Sequence, residues 1–297
     1  MTTRHENRNT RAARLSADDV ARYHEEGYIA VDNVLTDEEV AELQRVTDSF
    51  VEQSRQVTEH TDVFDLEPGH TPEQPRLRRL KSPDKHHAAY DRVLRNDRVL
   101  DIVSQLIGPG IRYKTTKLNL KSPEYGSPVE WHQDWAFYPH TNDDLLAVGV
   151  AIDDMMLENG CLMVVPGSHK GPVLDHHRDG YFAGAVSPDG LSERAVPIEL
   201  RAGGISLHHA RLLHGSAPNT SPRPRRLLLF EYAAADAWPL TGGIEWDDFN
   251  AHLLRGDVVL QPRLEDVPVR IPLPTHEREG SIYEVQSIVA DRGFGST

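Results

Sequence analysis

Between Ile111 and Ala233 the chain offers seven short segments with strand character, at 112–120, 129–134, 145–152, 161–165, 195–200, 205–209 and 225–233. They are bounded by Gly, Pro, Asn and Asp, and no helical segment separates them. Parallel strands need long crossovers, usually helical, so this spacing excludes a succession of βαβ units. It predicts antiparallel strands closing on one another as a sandwich or barrel.

What precedes is helical. Residues 1–14 hold four arginines and no apolar periodicity, and read as a disordered leader. Ser16 followed by Ala-Asp-Asp predicts a capped helix ending at Gly27, and residues 28–31 a short strand. Thr36 and Glu39 form a capping-box pair, and Val40, Leu43, Val46 and Phe50 then recur as one buried helical face requires. Residues 55–85 are polar and punctuated by proline, and read as a long loop. Further helices are predicted near 84–94 and 97–107, the second stopping at Gly108-Pro109-Gly110. The fold class is therefore α+β and mainly β: N-terminal helices packed on one face of an antiparallel barrel. Residues 15–275 are expected to form one domain, and 276–297 a C-terminal tail.

Charge and cysteine content narrow the function. With 32 Lys+Arg against 46 Asp+Glu the net charge is −14, which excludes a phosphate-tracking, nucleic-acid-binding role. A single cysteine, Cys161, excludes a disulfide framework and a cysteine-rich zinc site. No apolar run approaches ~18 residues, and the polar, basic N-terminus has no signal-peptide core. A cytoplasmic protein acting on a small molecule, without membrane or nucleic-acid partners, is expected. The oligomeric state is not legible.

Sixteen histidines raise the question of metal binding. A His-x-Asp/Glu pair on a strand puts two ligands on one face and is half of a two-histidine, one-carboxylate triad for Fe(II). Composition alone predicts about 2.5 such pairs, so the motif by itself decides nothing. Four occur. His24/Glu26 lies on a helix, where residues two apart diverge. His60/Asp62 and His177/Asp179 lie in polar loops. His132/Asp134 alone falls in a strand pattern, with Trp131, Trp135, Phe137 and Tyr138 around it to exclude water. A third ligand is offered by His208, His209 or His214. His208 and His209 point to opposite sides of a strand and each has an ordinary reading as an edge or core histidine. His214 precedes a Gly-Ser-Ala-Pro-Asn turn that would hold it at a barrel mouth. Arg225 opens the apolar run Leu227–Phe230, where it is either paired with a carboxylate or simply exposed beside Arg223 and Arg226.

Several spaced motifs now fall in one order: His132-Gln-Asp134, Leu157-Glu-Asn-Gly-Cys-Leu162, Pro166-Gly-Ser-His-Lys-Gly171, and His214-Gly-Ser with Arg225 eleven residues later. In this respect the chain resembles the phytanoyl-CoA dioxygenase family from about Tyr23 to Tyr232. The resemblance implies a double-stranded β-helix, a jelly roll of the cupin type. It implies Fe(II) held by His132, Asp134 and His214, with 2-oxoglutarate and O2 as cosubstrates and succinate and CO2 as products. Arg225 would then grip the distal carboxylate of 2-oxoglutarate with support from Ser216, while Asn119, Gln133 and Lys81 fall where family members often touch the cosubstrate. Lys117 and Val150 depart from relatives that carry Met and Trp there. His169, in the Pro-Gly-Ser-His-Lys-Gly loop, reads as a structural hydrogen bonder. Retention of the carboxylate Asp134 favours hydroxylation of a C–H bond over halogenation.

The substrate is less legible. Arg76, Arg78 and Arg79 in the 55–85 segment read as a solvated charge run, and would favour an anionic substrate only if they faced the pocket. Two other readings remain at this stage. An isomerase or 2-oxoglutarate-independent dioxygenase on the same barrel would not need Arg225, and a non-catalytic ligand-binding barrel would have an incomplete triad.

Overall fold

The computed structural model describes residues 14–276 and 281–294, so the leader expected at 1–14 lies outside the described residues apart from Arg14. The N-terminal half follows its capping signals. Ser16 accepts from Asp19 N and opens α1 (Ala17–Glu26), which ends at Gly27 with φ of 84°. After β1 (Tyr28–Val31), the Thr36–Glu39 capping box opens α2 (Asp37–Gln53). Strands β2 (Phe64–Leu66) and β3 (Leu77–Lys81) come next, then helices α3 (Pro83–His86), α4 (Ala88–Leu94) and α5 (Asp97–Ile107). The second half contains β4 (Ile111–Lys121), β5 (Val129–His132), β6 (Leu145–Ala151), β7 (Leu162–Val164), β8 (His177–Arg178) and β9 (Tyr181–Phe182). It continues through α6 (Leu191–Arg194), β10 (Val196–Ile198), β11 (Ile205–His209), β12 (His214–Ser216), β13 (Arg225–Ala234), α7 (Trp246–Ala251), β14 (Leu253–Arg255) and α8 (Ile282–Val285).

Two antiparallel sheets carry the architecture. The larger runs β1-β11-β6-β13-β4-β3-β2, with β14 also on β4, and the smaller runs β10-β7-β12-β5. Strand alternation gives the larger sheet two different faces. Leu118 and Leu120 of β4, Val148 and Val150 of β6, Leu207 of β11, and Leu228 and Phe230 of β13 turn to the main core, where they meet Leu43 and Phe50 of α2, Tyr90 of α4 and Ile102 of α5. The intervening residues turn toward the smaller sheet. Ala151, Leu227 and Leu229 there pack with Leu162, Val164 and Ile198, a second apolar cluster between the sheets. Among the described residues no helix is long and apolar enough to cross a membrane.

The 55–85 segment departs from its reading as a loop. Leu77–Lys81 pairs with β4, Arg79 opposite Asn119, and Phe64–Leu66 adds the outermost strand. Its arginines and lysine hid the strand because each charge has a partner that the local sequence does not reveal. Lys81 Nζ meets Asp65 Oδ1 at 2.8 Å, and Arg78 lies over the Tyr283 ring at 4.4 Å.

Residues 281–294 are packed against this body. Tyr283 is buried, Gln286 bonds to Glu130 on β5, and Phe294 stacks on Trp131 with centroids 5.0 Å apart.

Candidate active site

The site lies where the inner faces of the two sheets meet. His132 is the last residue of β5, and a short 3-10 turn beginning at Asp134 keeps that carboxylate on the histidine's side of the chain. His214 opens β12, a strand paired on both sides, with β5 and with β7. Sequence reasoning placed it just before a turn starting at Gly215. The turn residues begin only after Ser216, and three ladder residues suffice to set His214 directly opposite His132.

Each imidazole is oriented from behind. His132 Nδ1–H donates to the Glu130 carbonyl at 2.8 Å, and His214 Nδ1–H to the Leu212 carbonyl at 2.9 Å. That tautomer leaves both Nε2 lone pairs free. Both aim at one carboxylate: His132 Nε2 is 3.7 Å from Asp134 Oδ1 and His214 Nε2 is 3.7 Å from Asp134 Oδ2. All three residues are buried, with ligand atoms within 4.8 Å of one another. Burial pushes Asp134 up, but the surrounding His214, Lys117, His132 and His208 outweigh it and hold the carboxyl well below its usual range. Burial, reinforced by His132, holds His214 well below the ordinary histidine value, so it is neutral and able to ligate at pH 7. A carboxylate and two neutral imidazoles with free Nε2 atoms fit a divalent ion of the Fe(II) type.

The other His-x-acid pairs do not form such a centre. His177 bonds Asp175 and the Leu273 carbonyl. His60, Asp65 and Glu284 do come together, but Lys81 already holds Asp65 and Arg78 holds Glu284. His169 bonds the His24 carbonyl at 3.2 Å, the structural role expected of it.

A cavity runs from the triad along the larger sheet, with a free volume of about 40 Å³. At one end Arg225 and Ser216 line it. Arg225 is 2 % exposed; its Nε donates to the Gly160 carbonyl at 3.1 Å, and its Nη1 has no partner among the described residues. The exposed alternative for Arg225 is thereby overturned. A buried guanidinium with a free donor is a site for an anion's oxygens. Lys121 stands behind Ser216, its Nζ 3.3 Å from the Ser216 carbonyl, and desolvation together with Arg225 drives its pKa well down.

Asn119 also lines the cavity and accepts from Arg79 Nε at 3.0 Å. Two other expected contacts are corrected. Gln133 points away: Nε2 donates to the Arg211 and Pro172 carbonyls, and Oε1 accepts from Leu174 N, so it anchors the following loop. Its neighbours face the cavity, and strand alternation turns it outward. Lys81 is drawn to Asp65 and the Thr61 carbonyl at 2.8 Å, outside the cavity.

Three further residues, to which the sequence reading gave other roles or none in the site, line the cavity. Arg79 is buried there, against the expectation of a solvated run, with Nη2 unpartnered among the described residues. Lys117 pairs with Glu231 at 2.7 Å, and His208 Nε2 lies 3.4 Å from Asp134 Oδ2. Their signal was present in the alternation, since Lys117 and Asn119 share a face, as do Ser206 and His208. Ile282 of α8 supplies a further wall.

Comparison with known proteins gives this geometry a context. The family model described as phytanoyl-CoA dioxygenase (PhyH) matches residues 23–227. A protein of Stutzerimonas stutzeri named as a probable alpha-ketoglutarate-dependent hypophosphite dioxygenase is 35% identical over 287 residues, covering 94% of this chain and all of the relative. Among solved structures, EctD from S. alaskensis with bound Fe has a TM-score of 0.65 at 23% identity, covering 84% of this chain and 87% of its own. The epimerase SnoN, solved with Fe3+, alpha ketoglutarate and nogalamycin RO, has a TM-score of 0.61 at 26% identity, covering 85% of this chain and 94% of its own.

Proposed function

The chain belongs to the phytanoyl-CoA dioxygenase family and is a 2-oxoglutarate-dependent non-haem iron dioxygenase; from that premise we propose that His132, Asp134 and His214 hold its Fe(II), that Arg225 and Ser216 receive the distal carboxylate of 2-oxoglutarate, and that its substrate is a compact molecule. The observation that carries the assignment is one cavity with two ends: the triad at one, and the buried Arg225 with its free donor at the other. Residues 15–275 carry the two sheets, as the two halves of a double-stranded β-helix, and residues 281–294 complete the catalytic domain by packing on them. The arrangement of sheets and the likeness in length and fold to EctD support that reading.

When bound, the iron, 2-oxoglutarate and O2 together supply an oxidant that places one oxygen atom in succinate, with loss of CO2, and the other in an X–H bond of the substrate. The chain's own part is to hold and shield. The Glu130 and Leu212 carbonyls keep both imidazoles in the ligating tautomer. The apolar cluster of Leu162, Leu227 and Leu229 beside the cavity excludes water, and α8 covers a side of it. Asn119 supports the cosubstrate side, held in place by Arg79.

The narrow, cation-lined cavity suits a small anion better than a long acyl chain. The Stutzerimonas relative is named for hypophosphite, and an oxyanion of that class would present a P–H bond where other substrates present C–H. The test is anaerobic: Fe(II) and 2-oxoglutarate added to the wild-type chain should give a visible metal-to-ligand charge-transfer band. No band with wild type, or the same band in His132→Ala, overturns the assignment.

A further inference from the structure

We propose that Lys117 and His208 seat the anionic group of the substrate beside the metal site, with Arg79 supplying the balancing charge. The proposal rests on the iron and 2-oxoglutarate assignment above.

The first argument is placement. On the inner face of the larger sheet, Arg225 pairs with Lys121, Leu227 with Asn119, and Leu229 with Lys117. Four residues along β13 therefore separate Arg225 from the Lys117 row, about 13 Å at the strand rise. The following row runs Glu231, Ala147, His208. A five-carbon diacid spans roughly 5–6 Å between its end carbons, given C–C bonds near 1.5 Å. With one end on Arg225, it leaves the Lys117 and His208 region to another molecule.

The second argument is room. Between these side chains β6 presents only Ala147 and Gly149 to the interior. A Cβ on Gly149 would stand 2.7 Å from Ser206 Oγ and 2.9 Å from Leu227 Cδ1, so the space over that glycine is filled and the hollow opens over Ala147 instead. The hollow is small and its lining includes charged groups, where the facing sheets elsewhere are apolar.

The third argument is charge. A divalent metal ion and Arg225 balance Asp134 and a dianionic cosubstrate. Lys117 balances Glu231. Of the cations that line the cavity Arg79 remains, buried, its partners the neutral Asn119 and the ring of Tyr283, with Nη2 unpartnered among the described residues. A buried cation held only by neutral groups favours one negative charge beside it. The Lys117 side chain is 23 % exposed despite its carboxylate partner, leaving ammonium hydrogens for a second acceptor. His208, 1 % exposed, holds its Nε2–H only 3.4 Å from Asp134 Oδ2, a long contact whose donor can be shared with an oxyanion seated beside it. A compact monoanion satisfies these groups; a neutral or long apolar substrate leaves the Arg79 guanidinium buried with Nη2 unpaired.

The experiment uses the full chain loaded anaerobically with Fe(II) and 2-oxoglutarate, and titrates hypophosphite, phosphite and acetate against the visible band, with calorimetry in parallel. In wild type at least one anion should perturb the band and release measurable heat. The paired variant Lys117→Gln/Glu231→Gln removes the ammonium without stranding a buried carboxylate, and His208→Leu removes the ring. Both should form the band at wild-type 2-oxoglutarate concentrations and require about tenfold more anion, while Lys117→Arg should stay close to wild type. Unchanged anion affinity in both variants overturns the seat. So does a wild-type band that forms normally and responds to none of the three anions. Failure of the band itself in wild type overturns the underlying iron and cosubstrate assignment, and this proposal with it.

Discussion

His132 and His214 are register partners on neighbouring strands, with ring centroids 4.0 Å apart and both Nε2 atoms turned to Asp134. The ladder between β5 and β12 therefore sets the spacing of the two proposed ligands. Replacing His214 by Ala should abolish the charge-transfer band and lower turnover more than the ~10–100-fold typical of residues that only orient a ligand. Iron content after gel filtration and succinate release check this. Retained stoichiometric iron in His214→Ala would contradict the ligand set.

Arg225 should separate cosubstrate from metal binding. A charge-assisted pair with a carboxylate is worth about 1.5–3 kcal/mol, so Arg225→Ala should raise the KM for 2-oxoglutarate roughly 10–150-fold while iron binds normally. Inductively coupled plasma analysis alongside steady-state kinetics distinguishes the two effects. An unchanged KM would remove Arg225 from the cosubstrate site.

The Lys117–Glu231 pair should matter asymmetrically. Glu231 is 3 % exposed, and losing one partner of a buried ion pair costs about 3 kcal/mol because the other charge is stranded. For a protein of this size that is roughly a 6–12 °C fall in melting temperature. Lys117→Met should show it, and Lys117→Met/Glu231→Leu should recover most of it. Differential scanning calorimetry of the apo protein is the measurement. A double variant no more stable than the single one would show that the pair is not the cause.

Acid should unfold the protein through its buried neutral histidines. Burial lowers His140 and His176 to about 4. His176 is pinned in one tautomer, accepting from Gln133 N at 2.9 Å and donating to the Leu174 carbonyl at 2.8 Å. A folded pKa below the unfolded ~6.5 means that the unfolded chain takes up protons first. Their stabilisation is complete above about pH 6.5 and is lost as pH falls toward 4. At pH 5 each contributes a loss of about 2 kcal/mol. Denaturant midpoints at pH 7.5 and 5.0 should show this, and His176→Gln should flatten the difference.

The segment after residue 280 should report on the cavity it covers. Phe294 lies against Trp131, and Ile282 lines the site. Phe294→Ala should change Trp131 fluorescence, and removal of residues 281–297 should weaken 2-oxoglutarate binding severalfold by opening the wall. A truncated chain with wild-type cosubstrate affinity would confine this segment to a structural role.

Much of this was legible from the chain alone. Local rules act over a few residues, so the capping boxes at Ser16 and Thr36, the apolar face of α2 and the strands read at 145–152 and 225–233 emerge to within a residue. His132 and Asp134 were singled out by strand periodicity and aromatic surroundings, and His214, Ser216 and Arg225 by motif order. The failures share one physical origin. Leu77–Lys81 looked solvated because its charges are paid for by Asp65, Asn119 and Tyr283, residues distant in sequence or on a different strand. Gln133 and Lys81 looked suited to the cosubstrate, yet side-chain direction drew one to the Arg211 carbonyl and the other to Asp65.

The sequence by itself determined the elements and the order of the motifs, because periodicity, caps and spacing are written in consecutive residues, and the resemblance carried by those motifs pointed to the triad proposed here. Only the tertiary structure decided which charges enter the cavity. A buried Arg79 or His208, or a half-buried Lys117, is tolerable only where the fold brings Asn119, Asp134 or Glu231 against it, and that pairing depends on strand register across the sheets, which no local pattern encodes.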